Sequence, residues 1–78
     1  MGLIYTGQEA DMETGHSIGA KDANSGERVI VHASREAIQD YGPARVREVA
    51  EVKYDSGDLE PDGKVFVRTS DFDPVGNN

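Results

Sequence analysis

The 78-residue chain has no cysteine, no tryptophan and no long apolar run, and its 8 lysines and arginines face 15 aspartates and glutamates. Each shortage excludes something. Without cysteine no disulfide can staple the fold, and zero cysteine fits a reducing compartment, so a cytoplasmic location is expected. No stretch approaches the roughly 18 consecutive apolar residues of a membrane span, so no membrane partner is expected. Met1-Gly2-Leu3-Ile4-Tyr5 has neither a basic start nor a long apolar stretch and does not read as a secretory signal. A net charge of −7 repels polyanions, which argues against nucleic acid as a partner. A chain this short buries only about 60% of its unfolded surface. Tight packing or self-association must supply the missing stability.

Along the chain, the first fifteen residues read as loosely ordered: a short edge strand, Leu3-Ile4-Tyr5, then an acidic loop carrying Glu9, Asp11 and Glu13. A hairpin follows. Residues 16–22 form a weak strand, Asn24-Ser25-Gly26 supplies turn chemistry, and Glu27-Arg28-Val29-Ile30-Val31-His32-Ala33 forms a strong strand. Alternation places Val29, Val31 and Ala33 on one face, with Ile30 and His32 on the other. Both faces are partly apolar.

Ser34 suits a helix N-cap, since its hydroxyl can accept from a free first-turn amide. A helix over 35–41 gathers Ala37, Ile38 and Tyr41 on one side. Gly42-Pro43 then ends one helix and starts another. The second helix, to about Tyr54, buries Val46, Val49, Ala50 and Tyr54, with Arg47 and Glu51 four apart outside. Glu60-Pro61-Asp62-Gly63 is a turn, and Lys64-Val65-Phe66-Val67-Arg68-Thr69 a returning strand. The chain therefore reads as one α+β domain over residues 1–72: a small β-hairpin and a returning strand, with two short helices packed on one face. Residues 73–78 read as a disordered tail.

Three segments resemble a small bacterial family of unknown function, the domain-of-unknown-function family 1488. They are residues 30–38, Ala50 with Lys53, and residues 60–72, where a glycine turn, an alternating strand and a closing Asp71-Phe72 follow in order. The resemblance implies a small α+β cytoplasmic protein with no assigned activity. It supplies no catalytic residues.

Four patterns are candidates for chemistry. Asp58, Glu60, Asp62 and Gly63 resemble the opening of a calcium loop, but Thr69 stands where the bidentate glutamate belongs, Lys64 takes the seventh position and Pro61 stiffens the loop, so a solvated acidic turn is the expectation. His16 and His32, the two histidines, fall near each other across the hairpin and could hold a small ligand or a metal, but no short-spaced ligand pair supports a metal site. Ser17 and Ser34 lack the strand–turn–helix setting of an activated nucleophile, so no enzyme activity and no cofactor are expected. The last pattern is the sheet face away from the helices. It gathers Ile30, His32, Phe66 and Arg68, with Ile18 expected beside them, and phenylalanine and arginine are enriched at interfaces. The leading expectation is a non-enzymatic interaction module using this face for an unidentified protein partner or a homodimer. The competing expectations are that Leu3-Ile4-Tyr5 folds over the face, that His16 and His32 form a ligand site, or that the acidic chain covers a basic partner surface.

Overall fold

The computed structural model describes residues 2–72; the expected disordered tail lies outside them. Seven elements follow in order: β1 (Leu3–Tyr5), α1 (Glu9–Gly15), β2 (Ser17–Asp22), β3 (Arg28–Ala33), α2 (Arg35–Ser56), β4 (Val65–Val67) and a 3-10 turn (Thr69–Asp71). They build a small α+β fold around a four-stranded sheet of order β1-β2-β3-β4.

The hairpin forms where turn chemistry and alternation coincide. The Asp22 side chain accepts from the backbone amides of Asn24 and Ser25 at 2.7 and 2.8 Å, closing the loop between β2 and β3. The register sets Ile18 opposite Val31 and Ala20 opposite Val29, all four buried. Gly19 falls opposite Ile30, and Ser17 opposite His32. The placement expected for Ile18 is thereby corrected: a one-residue step in register moves a side chain to the other face. Ile18 lies in the core, only 2% exposed.

β4 runs parallel to β3, pairing Val65 with Val31, Phe66 with His32 and Val67 with Ala33. Parallel pairing requires a crossover, and α2 provides it. The Ser34 hydroxyl caps α2 by accepting from the Ala37 amide at 3.2 Å. Gly42 breaks the helix into two pieces with φ 88° and ψ 158°, and Pro43 starts the second, as the Gly-Pro step predicts. Val46 and Ala50 are fully buried, with Val49 and Tyr54 packed against the core beside them. Tyr41 is 41% exposed rather than buried, its ring stacked on Phe72 at 3.9 Å between centroids. Arg47 reaches Glu9 on α1 instead of Glu51 one turn along its own helix.

The acidic stretch after β1 is the main departure from the expected fold. It is a helix, not a loop. Asp11 accepts from the Gln8 amide at 3.0 Å, an N-terminal cap, and Glu9 and Asp11 suit the positive end of the helix. Met12 is the anchor, fully buried in the same core as Val31 and Val46. Both helices therefore cover one sheet face, and β1 sends Leu3 into that core.

Candidate functional site

The other face of the sheet is set by the same alternation. Strand positions that do not enter the core point away from the helices: Ile4 on β1, Ser17, Gly19 and Lys21 on β2, Arg28, Ile30 and His32 on β3, and Phe66 on β4. β1 does not fold over them. It hydrogen-bonds along the edge of β2, with Ile4 opposite Lys21, and leaves Ile4 itself 50% exposed on the open side. Among the described residues no helix or strand covers this face.

The four candidate interface residues meet here. His32 and Phe66 are directly paired across β3 and β4, and Ile30 stands two residues before His32 on the same side. All three are half-buried. Arg68, one residue past β4, lays its guanidinium over the Phe66 ring at 4.3 Å from the centroid, a cation–π contact.

A cleft of about 530 Å³ opens beside this pair, lined by His16, His32, Phe66, Pro61, Glu60 and Lys64 among others. Its outer wall is the turn after α2. The Gly63 amide donates to the Glu60 carbonyl at 2.8 Å, and the Glu60 amide to the Lys64 carbonyl at 2.9 Å. Pro61 occupies the second position of this turn, where its fixed φ fits. The Asp62 carboxylate accepts from the Lys64 amide at 3.0 Å and lies 3.7 Å from the Lys64 ammonium, while Glu60 lies 3.6 Å from Arg68. These carboxylates serve the turn and its neighbouring cations instead of converging on a common centre. No group of three His, Asp or Glu side chains able to hold a metal occurs among the described residues.

His16 reaches the cleft by an unusual backbone. It ends α1 at φ 60°, the left-handed region that side chains other than glycine rarely adopt, and its amide donates to the Met12 carbonyl. Its own carbonyl accepts from Ala33, which sets it beside the His32–Phe66 pair. The two histidines thus share one cleft, as the hairpin spacing predicts. Neither imidazole hydrogen-bonds a serine among the described residues, and the Ser34 hydroxyl is engaged as a cap.

Lys53 is a structural residue that sequence reasoning missed. It is buried, and its ammonium donates to the Phe66 carbonyl at 2.6 Å and to Asp71 at 2.8 Å. Burial raises the Asp71 pKa, but the Lys53 hydrogen bond, the Arg68 amide and the two cations outweigh it, leaving the carboxyl below its ordinary value. A lysine at i+3 from Ala50 on an apolar stripe was the available signal. The contact occupies the outward-facing carbonyl of β4, a sheet edge otherwise open to another strand.

None of the family models, curated proteins and solved structures compared with the chain matches it.

Proposed function

We propose that this chain is a non-enzymatic protein-interaction module that works through its open sheet face. One observation carries the reading: α1 and α2 both lie on one side, while Ile4, Ile30, His32 and Phe66 stand on the other with no helix or strand over them among the described residues. Apolar side chains gathered on one face and rimmed by polar groups are a common mark of a binding surface. The Arg68–Phe66 pair adds two residue types enriched at interfaces. The resemblance to family 1488 contributes no competing activity.

Phe66→Ser is the direct test. Its side chain lies outside the helix-side core, so circular dichroism should stay native-like while association weakens at least tenfold, read by titration calorimetry or sedimentation with whichever partner, including a second copy, the native protein retains. Unchanged association in both Phe66→Ser and Ile30→Lys would reject the reading. The shared cleft of His16 and His32 favours a second reading, a small-ligand site. It requires ligand-induced amide shifts centred on those two residues and indifferent to Ile30→Lys.

A further inference from the structure

Both signs of charge occur on both sides of the molecule, but on the open face they are unevenly matched. On the strands of the open face the charged side chains are cations, Lys21 and Arg28, flanked by Lys64 just before β4 and Arg68 just after it. The one strand carboxylate, Asp22, turns the other way and accepts from Tyr54 of α2 at 2.6 Å. In the other layer α2 is mixed, with Glu36, Asp40, Glu48, Glu51 and Asp55 against Arg35, Arg45, Arg47 and Lys53, and α1 adds Glu9, Asp11 and Glu13. The net −7 therefore conceals a locally basic corner of the open face, at Lys21 and Arg28, beside the balanced pairs Lys64–Asp62 and Arg68–Glu60.

Within that face, Lys21 and Arg28 are direct cross-strand partners. Like charges directly opposite each other destabilise a sheet, and neither makes an ion pair among the described residues. Lys64 and Arg68, by contrast, have Asp62 and Glu60 beside them. The uncompensated pair sits next to Ile4 and Ile30, at the hairpin end of the apolar patch.

We propose that the open face receives an amphipathic, acidic-flanked helix of a partner protein, with its apolar stripe over Ile30 and Phe66 and its carboxylates against Lys21 and Arg28. This rests on the interaction-module reading and names the partner's chemistry. Charge complementarity favours an acidic occupant: Lys21 and Arg28 lack a carboxylate partner among the described residues, whereas Glu60 and Asp62, the open-face carboxylates a second copy would bring, already face Arg68 and Lys64. Size favours one helix. Four strands about 4.8 Å apart span roughly 14 Å, and a helix is about 10 Å across. Strand addition is disfavoured at the β4 edge, where Lys53 already occupies the Phe66 carbonyl.

The test uses the full chain, immobilised, and a displayed library of 18-residue helices that share one leucine stripe and vary their flanking positions among Glu, Lys and Gln. Glu-flanked peptides should be selected, and the winning peptide should lose about tenfold in affinity in the Lys21→Glu/Arg28→Glu double variant, where Lys-flanked peptides should gain. Phe66→Ser should abolish binding of either class. Selection of Gln- or Lys-flanked peptides by the native chain, or no selection at all, overturns the proposal. So does retention of single-stranded RNA on the face in a parallel binding assay. Sedimentation distinguishes the two levels of failure. A dimer broken by Phe66→Ser would leave the interaction module standing with a second copy as its occupant. No peptide bound and no association sensitive to Phe66 or Ile30 would remove both.

Discussion

Gly42 holds the sharpest local constraint in the chain. Its φ of 88° with ψ of 158° is a combination essentially closed to residues with a Cβ, although no atom lies near enough to collide with one. The cost of replacing it is therefore a backbone cost. Gly42→Ala should lower stability by roughly 1–3 kcal/mol in urea unfolding, with the sheet intact in the folded state. The Tyr54–Asp22 hydrogen bond gives a second prediction, in pH. The Tyr54 hydroxyl, with help from the Ser25 and Asn24 amides, holds the Asp22 carboxyl down at about 2, and the same bond pushes the Tyr54 hydroxyl up to about 12. A lowered carboxyl stabilises the fold above its unfolded pKa near 4 and loses that contribution as pH falls toward 2. A raised tyrosine stabilises below about 10 and loses its contribution as pH rises toward 12. Tyr54→Phe should flatten the stability–pH curve in both windows and lower the plateau between them, as thermal melts across pH 2–12 would show.

Between elements, the tightest join is the one Lys53 makes. It draws three separate pieces of chain together: the last turn of α2, the Phe66 carbonyl on β4 and Asp71 of the closing 3-10 turn. Removing one partner of a buried pair leaves the other uncompensated and costs more than the pair itself contributes. Lys53→Met, which keeps most of the volume, should destabilise by about 3 kcal/mol in urea unfolding and loosen amide protection first in β4. α1 depends on a close approach instead. A Cβ on Gly7, in the step from β1 to α1, would come within 2.9 Å of Ile18 and 3.1 Å of the Gly19 backbone nitrogen. The chain turns there because that position lacks a side chain.

Taken whole, the molecule has one filled face and one open face, and the two respond differently to truncation. Val67 is fully buried beneath the helices, whereas its neighbour Phe66 is half-buried on the open side. Val67→Ala removes two methyl groups from a closed core and should cost about 2–3 kcal/mol. Phe66→Ser, the larger chemical change, should cost less than that in the isolated protein. Chemical denaturation of the two variants side by side checks the order, and a greater loss at Phe66 would mean that the open face is buried in the free molecule.

Much of this arrangement was legible in the residues. The alternation of Val29 to Ala33 and Val65 to Val67, the Ser34 cap and the Gly42-Pro43 break are local signals, each readable from a few neighbours, and they specify the hairpin, the kinked helix and the returning strand. The grouping of Ile30, His32, Phe66 and Arg68 on one side followed from the same alternation. α1 escaped because a seven-residue helix with one buried side chain, Met12, shows no period to detect. Ile18 was misplaced because strand register depends on pairing, and pairing is a property of two segments rather than one. The burial of Lys53, the Arg47–Glu9 bridge and the pairing of Lys21 with Arg28 on the open face are of the same kind. They join residues far apart in the chain, and their partners exist only once the sheet and its crossover have brought them together.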